Sequence, residues 1–432
     1  MTRNLALFAG VALLFILTGV FQSWNLSLSI LNMALLSAIM AMGVNMQWGY
    51  AGLFNTGVMG FTALGGLAVV LISSRPVPEG WALGGAWILV ALTIGVATIA
   101  LAVLTARRMA RGRARNLAVA AVLVAGFVIY RAVLDPAVTA VESFDPATFG
   151  NIGGLGLPSL IAWPVGGILA AIAAWAVGKV ALGLRSDYLA IATLGIAEIV
   201  IQVLKNEDWL TRGVKNITQL PRPWPVPLEV NLQSNAGFLS LAETLGANPV
   251  GLSTIVVKLL YAVMFALVLL FVIWMSERAL NSPWGRMMRA IRDNEVAAAA
   301  MGKDVTRRHL QIFIVGCAIV GVAGAMMTTM EGQLTPGTYN PLRYTFLIWV
   351  MVVVGGSGNN WGSVLGALLI GWLWLIVESL GPAVMGAITA GMSEGPLKAH
   401  LIDSAQHMRL LTLGVILLVV LRFSPRGLIP EK

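Results

Sequence analysis

The chain has 432 residues, of which 58% are hydrophobic and 11% are charged, and its mean hydropathy is +0.85. Soluble globular proteins carry about 25% charged residues, so this composition excludes an ordinary water-soluble domain. The formal net charge is +9, but long apolar runs separate the basic residues, which excludes the basic face of a nucleic-acid-binding domain. We therefore predict an all-α protein, a polytopic transmembrane helix bundle that forms a single domain over 1–432.

Twelve apolar runs are candidates for membrane-spanning helices, because about 20 apolar residues cross the hydrocarbon core of a bilayer. The runs lie at 5–21, 26–46, 52–72, 83–106, 116–135, 158–183, 188–204, 251–275, 310–330, 345–357, 361–382 and 409–423. The run at 345–357 is short for a crossing, and the segment 26–72 could hold fewer full crossings. We therefore expect about 10–12 spans.

The first run has two interpretations. Arg3 precedes a long apolar stretch, as in a secretory signal peptide, but no A-x-A cleavage pattern follows it. We therefore interpret 1–25 as a retained N-terminal extra helix.

The positive charge predicts the orientation, because Lys and Arg collect in cytoplasmic loops. Twelve crossings with a cytoplasmic N-terminus place 18 of the 28 Lys and Arg residues inside, with five arginines in 107–115 and seven Lys or Arg in 276–309. We then expect both termini to be cytoplasmic, in a plasma (inner) membrane. The segment 205–250 becomes an extracytoplasmic loop, with alternate prolines at 221–227 that favour extended backbone. It either covers the bundle or contacts a soluble partner.

Glycine-rich interruptions of apolar runs are the sequence signal for a translocation path, because broken helices expose backbone dipoles within the membrane. Two such stretches are present, the first at 49–66 and the second at 355–366, and Glu198 is the carboxylate placed clearly within a span. The candidate path residues are Asn55, Thr56, Gly57, Gly60, Phe61, Glu198, Gly355, Gly356 and Gly358. The alternative for both stretches is close helix packing, and for the second stretch also a cytoplasmic turn. Glu198 could instead bond to a backbone carbonyl or to an adjacent helix.

The segment 283–302 predicts a cytoplasmic amphipathic coupling helix. Ser282 and Pro283 are typical of a helix start, Gly302 of a helix stop, and Asp304 of the cap of the next helix. The helix either lies on anionic lipid or docks on a cytoplasmic partner, and the run of mostly small residues at 295–300 favours docking. The candidate contact residues are Arg286, Arg289, Arg292, Asp293, Asn294, Glu295, Ala298 and Gly302.

This segment carries a resemblance to a known family. The run SPWGRMMRAIRDNEVAAAAMG at 282–302 resembles the coupling segment of branched-chain amino acid ABC transporter permeases of the LivM type. The runs LRSDYLAIATLG at 184–195, VGGSG at 354–358, WGSVLG at 361–366 and FSPRGL at 423–428 are similar to further segments of that family. In GLFNTGVMGF at 52–61, Val58 stands where the family commonly has a histidine.

The resemblance implies a non-enzymatic permease subunit that forms half of an importer's translocation path. Its implied partners are a homologous second permease subunit, two cytoplasmic ATPase subunits, an extracytoplasmic solute-binding protein and the lipid bilayer. The implied cargo is a branched-chain or other small amino acid, with urea or a short amide as the alternative.

No phosphate-binding loop is present in the chain, so we expect the partner subunits to bind ATP and the chain to hold no cofactor. An ion-coupled secondary transporter is the rival, but such proteins use networks of intramembrane carboxylates. The three histidines are too scattered for a metal site, and the single cysteine, Cys317, excludes a disulfide framework within the chain.

Overall fold

The computed structural model describes residues 2–145, 150–392 and 395–431. Within these ranges the regular secondary structure is helical, and two isolated β-bridges, Pro76–Gly153 and Ile217–Leu334, join loop segments. The helices in chain order are α1 (Thr2–Phe21), α2 (Trp24–Ala51), α3 (Val58–Ser73), α4 (Pro78–Gly80), α5 (Ala86–Arg108), α6 (Arg113–Glu142), α7 (Ser159–Ala181), α8 (Ser186–Asn206), α9 (Asp208–Thr211), α10 (Glu229–Gln233), α11 (Ala236–Thr244), α12 (Pro249–Leu280), α13 (Pro283–Asp293), α14 (Glu295–Ala300), α15 (Val305–Glu331), α16 (Pro341–Gly355), α17 (Asn360–Ile388), α18 (Pro396–Asp403) and α19 (Met408–Phe423). A π-helical segment, Trp81–Gly85, joins α4 to α5, and 3-10 turns lie at Gly213–Lys215, Pro336–Thr338 and Ser404–His407.

The prediction of a polytopic all-α bundle is confirmed over the described residues. Nine of their helices are long and apolar enough to cross a membrane, and ten if α18 and α19, bent by 67°, form one span. The shorter apolar helices α3 and α16 account for the remaining predicted runs.

The centre of the bundle is formed by α2 and α15, whose apolar stretches are 72% and 61% buried. α15 packs on α7, α3 and α2, and α2 also packs on α17 and α12. Small residues allow these close approaches: a Cβ atom added to Gly43 would lie 2.6 Å from the Gly316 oxygen. The packing is the small-residue type found in membrane helices.

The two ends of the bundle carry different segments. We call the end at which α12 leads into α13 the α13 side, and the other end the opposite side. Arg3, at the start of α1, donates to the Leu428 carbonyl over 3.3 Å, and Glu431 accepts from Arg292 of α13 over 2.9 Å. Both described chain ends therefore lie on the α13 side. The segment after α8 lies on the opposite side, where it forms the Ile217–Leu334 bridge and where the Ser159 hydroxyl bonds to the Pro221 carbonyl.

Candidate functional site

α13 is held on the bundle by its apolar side. Met288 and Ile291 are 0% and 1% exposed, and α13 packs on α2 and α12. Gly285 is required at the start of the helix, because an added Cβ would lie 2.1 Å from the Leu280 oxygen. The polar side faces outward: Arg286 is exposed and Arg289 is half-buried. α13 therefore presents arginines while its position is fixed by the bundle.

The single helix predicted over 283–302 is wrong, because the segment forms two helices that break at Asn294. This residue is extended (φ −155°, ψ 96°), and its Oδ1 accepts a hydrogen bond from Ala297 N over 2.9 Å. Asn competes with the helical backbone through such local bonds, so it caps α14 instead of continuing α13. Glu295, in the first turn of α14, is exposed, whereas Ala298 is buried.

The ends of the segment agree with the sequence signals. Gly302 has φ +76°, a left-handed conformation that favours glycine, and the Asp304 carboxylate accepts from Arg307 N over 3.0 Å as the cap of α15. The hydroxyl of Ser282 donates to the Ala279 carbonyl and makes no cap bond to α13. The segment therefore starts and stops where predicted, although Ser282 does not cap it.

Arg292 joins α13 to two distant parts of the chain. Its guanidinium donates to the Gly49 carbonyl at the end of α2 and lies 2.9 Å from the Glu431 carboxylate. Asp293 lies 3.1 Å from the same guanidinium. Burial acts to lower the pKa of Arg292, but the hydrogen bonds and charges of Glu431 and Asp293 raise it above its ordinary value. The side chain therefore stays charged and links α2, α13 and the C-terminal tail.

The C-terminal tail, residues 424–431, covers the second glycine-rich stretch. Leu428 N and Ile429 N each donate over 2.9 Å, to the Val354 and Gly355 carbonyls. Gly356 has φ +120°, and an added Cβ would lie 2.2 Å from the Ile429 oxygen. The predicted path residues Gly355, Gly356 and Gly358 thus form a turn beneath the tail on the α13 side, and their path role stays a prediction.

A polar network fixes this turn to the bundle. The Asn45 amide donates to Asn360 Oδ1 over 3.2 Å and accepts from Gly358 N over 2.9 Å. Asn360 donates in turn to Glu277 on α12 over 3.0 Å. The sequence interpretation missed Asn45, Glu277 and Glu431, although polar residues inside apolar runs are a usable signal for such networks.

A basic cavity of about 820 Å³ opens between α13 and the tail. Four of its lining residues are arginines and two are acids, so it carries an excess of positive charge. The lining residues are Arg286, Arg289, Ala290, Arg292, Asp293, Ser357, Pro425, Arg426 and Glu431. The arginines of the predicted coupling segment are therefore brought together, and a tail arginine joins them.

Within the first glycine-rich stretch, residues 52–57 form a non-helical segment between α2 and α3. Asn55 is 2% exposed, and its amide donates to Gln47 Oε1 while its own Oδ1 accepts from Gly57 N, both over 2.9 Å. The Trp349 indole donates to the Asn55 carbonyl over 3.1 Å. Thr56 is half-buried and donates to the Ala190 carbonyl on α8. These bonds fix the segment between α2, α8 and α16.

The residues after this segment are also packed within the chain. A Cβ atom added to Gly60 would lie 2.6 Å from Ala197 Cα, so α3 contacts α8 closely at this point. Phe61 is 5% exposed, and its ring meets that of Phe313 edge-on with centroids 5.9 Å apart. The path role of Asn55, Thr56, Gly57, Gly60 and Phe61 stays a prediction.

Glu198 lies on the face of α8 that points away from the rest of the chain. It is exposed, stands thirteenth of the 21 residues of α8, and accepts from the Gln202 amide over 2.8 Å. Gln202 and Asn206 are exposed on the same face, and Asn206 donates to the Gln202 carbonyl. A carboxylate near the middle of a span that faces away from its own chain requires water or a protein partner.

Comparison with known proteins identifies the family of the chain. Residues 109–421 match the family described as "Branched-chain amino acid transport system / permease component". The chain is 31% identical over 232 residues to the "High-affinity branched-chain amino acid transport system permease protein LivM" of Salmonella typhimurium, which covers 54% of this chain and 53% of the relative.

Two further relatives are more distant. The "Probable branched-chain amino acid transport permease protein LivM" of Methanocaldococcus jannaschii is 30% identical over 172 residues, 39% of this chain and 47% of the relative. The "Fructose import permease protein FrcC" of Rhizobium meliloti is 29% identical over 130 residues, 29% of this chain and 34% of the relative.

The chain spans about half the length of the curated relatives it matches. No solved structure matches it. Because the family match covers more than half of the sequence, the chain belongs to the branched-chain amino acid transport permease family.

Proposed function

We propose that the chain is the membrane-spanning permease subunit of an ATP-binding cassette importer for branched-chain or other small amino acids. The observation that carries this proposal is the geometry of α13. Met288 and Ile291 fix the helix to the bundle, while Arg286 and Arg289 line an open basic cavity on its outer side. A helix of this kind can receive a force from outside the membrane and transmit it to the helices on which it packs.

The partner at this surface is a pair of cytoplasmic ATPase subunits. The chain has no phosphate-binding loop of its own, so the nucleotide is bound by these partners. The excess positive charge of the cavity suits acidic side chains on the ATPase surface. When the ATPase subunits close, α13 moves, and α12 and α15, which flank the coupling segment, move with it.

This assignment requires that the α13 side is cytoplasmic and that the membrane is the plasma (inner) membrane. α5 is a long apolar helix that starts on the opposite side, so it ends on the α13 side. The turn with five arginines at 107–115 follows α5 and therefore lies on the α13 side as well. The positive-inside rule places such short basic segments in the cytoplasm. Both chain ends are then cytoplasmic as well, and the segment 205–250 faces the solute-binding protein.

The chain forms half of the path, and a homologous second permease subunit forms the other half. Glu198, Gln202 and Asn206 provide a polar stripe on the outward face of α8, which the second subunit and water would cover. The buried segment with Asn55 and Gly57 supports α8 from behind through the Thr56 bond to Ala190. A small amino acid passing along the stripe would meet amide and carboxylate groups.

The proposal is tested on the complex isolated from native membranes through a tag on this chain. We expect co-purified ATPase subunits, and uptake of radiolabelled leucine into vesicles when ATP is supplied on the α13 side. The double variant Arg286→Glu/Arg289→Glu should lose the ATPase subunits and reduce uptake to background. The matched control is Arg75→Glu, an exposed arginine on the opposite side, which should keep the ATPase subunits.

Two outcomes would contradict the proposal. The first is retention of the ATPase subunits and of uptake by the double variant. The second is uptake by the purified chain alone on a proton or sodium gradient without nucleotide, which would identify an ion-coupled transporter.

A further inference from the structure

The hairpin α5–α6 stands apart from the bundle over most of its length. Only 17% of the apolar stretch that includes α5 and 11% of that of α6 are buried. Most buried side chains of the hairpin cluster at the opposite-side end, where Ile88 and Val141 pack together with Trp209. The Glu142 carboxylate also accepts from Trp209 N there, over 3.0 Å. The hairpin is therefore anchored at one end and faces outward elsewhere.

The other end of the hairpin is a turn rich in positive charge. It carries Arg107, Arg108, Arg111, Arg113 and Arg115, of which the first four are exposed. The ion pairs found among the described residues involve none of these five arginines. The turn therefore presents concentrated charge that the described part of the chain does not neutralise.

An apolar groove of about 440 Å³ runs between the two helices below this turn. α5 and α6 approach closely at its floor, because a Cβ added to Gly126 would lie 2.1 Å from the Thr98 side chain. The residues that form the part nearer the turn are Thr98, Ile99, Leu123, Val124, Gly126 and Phe127. The lining has almost no polar surface, so the groove suits an aliphatic chain.

The spacing of turn and groove matches one lipid leaflet. Ile99 lies eight residues before Arg107, and Leu123 lies eight residues after Arg115. Eight residues correspond to about 12 Å along a helix. Half of the hydrocarbon core is about 15 Å thick. An acyl chain whose headgroup lies at the arginine turn therefore reaches the groove with its methyl end.

We propose that the α5–α6 hairpin binds an anionic phospholipid, with the headgroup phosphate on the arginine turn and one acyl chain in the groove below it. Guanidinium groups match phosphate oxygens in geometry and charge. A helix of another subunit lying in the groove would fill the apolar surface, but it would also need acidic residues at one end to match the five arginines. An anionic phospholipid supplies a phosphate for the arginine turn and an acyl chain for the groove.

The test uses the full protein in phosphatidylcholine vesicles. One sample contains a trace of spin-labelled phosphatidylglycerol and the other a trace of spin-labelled phosphatidylcholine, each with a nitroxide near the end of an acyl chain. Electron paramagnetic resonance then measures the fraction of each labelled lipid whose motion the protein restricts. We expect phosphatidylglycerol to be restricted with at least about threefold preference, because each basic residue near the surface attracts anionic lipid. The preference should fall as salt is raised.

Two variants separate the contribution of the lipid headgroup to binding from that of the acyl chain. Replacing the five arginines by Gln should lower the preference at least about twofold, while the arginines of the basic cavity on the same side remain. Gly95→Leu should lower the restricted fraction, because it fills the groove where an added Cβ makes only ordinary contact with Tyr130. The matched control is Gly10→Leu, another open glycine on a peripheral helix, which should leave the restricted phosphatidylglycerol fraction unchanged.

Equal restriction of the two lipids by the wild-type chain would overturn the proposal, as would an unchanged preference in the five-arginine variant. The same measurement on the complex isolated from native membranes addresses the rival occupant. Loss of the phosphatidylglycerol signal on assembly would show that another subunit covers the groove, which also overturns the proposal. Retention of the signal supports it.

Discussion

Arg292 on α13 forms an ion pair with Glu431 in the C-terminal tail, with 2.9 Å between guanidinium and carboxylate. The same guanidinium bonds to the Gly49 carbonyl at the end of α2. Both side chains are partly exposed (24% and 30%), so the pair contributes about 1 kcal/mol or less to stability. Its consequence is geometric, because α13, α2 and the tail move together while the contact holds.

The first prediction concerns this ion pair. Glu431→Gln should leave the ATPase subunits bound but lower ATP-driven leucine uptake about two- to fivefold, because α13 loses one link to the tail. The measurement is uptake by the reconstituted complex at equal protein. Glu229→Gln is a matched control, since Glu229 pairs with Arg222 over 2.8 Å on the opposite side at similar exposure. Equal losses in both variants would contradict a specific role of Glu431.

The second prediction concerns the break between α13 and α14. Asn294→Ala should destabilise α14 by about 1 kcal/mol, because the cap on Ala297 N is lost. We expect the uncapped segment to straighten and ATP hydrolysis to become uncoupled from uptake. Both rates are measured on one preparation, and their ratio is the readout. Asn235→Ala removes an equivalent cap from α11 on the opposite side, and an identical change there would refute the interpretation.

The third prediction concerns the outward face of α8. Single cysteines in place of Glu198 and Gln202 should react with a membrane-impermeant thiol reagent in the assembled complex, if this face borders an aqueous path. The native Cys317 is 0% exposed and should contribute little background. Ile172→Cys, at an exposed position within α7, should stay unreactive because lipid covers it. Equal, low reactivity at all three positions would place α8 against lipid or a dry interface.

The fourth prediction concerns the glycine turn beneath the tail. Gly356→Ala should displace the tail, because the new Cβ would lie 2.2 Å from the Ile429 oxygen and the residue would keep φ +120°. We expect a loss of about 1–3 kcal/mol in stability, measured as a lower midpoint of thermal unfolding in detergent. Gly386→Ala introduces a methyl group into open space and serves as the control. An unchanged midpoint for Gly356→Ala would show that the tail is not held there.

The amino-acid sequence alone determined the class of the protein and the order of its helices. Apolar runs long enough to cross a bilayer can be recognised locally, since each span satisfies its own backbone hydrogen bonds. The ends of the coupling segment were also predictable, because the left-handed Gly302 and the Asp304 cap act on neighbouring residues. The break at Asn294 also has a local cause. It was not predicted, because the alanines at 297–300 favour a continuous helix.

The positions of the predicted path residues depend on how the helices pack, which no local sequence pattern shows. The two glycine-rich stretches look alike in sequence, yet one is buried around Asn55 and the other lies beneath the C-terminal tail. Helical periodicity places Glu198 on a face of α8 but does not say whether that face meets the bundle. The Arg292 contacts with Gly49 and Glu431 join residues far apart in the chain, and such contacts depend on how the helices pack rather than on any local pattern.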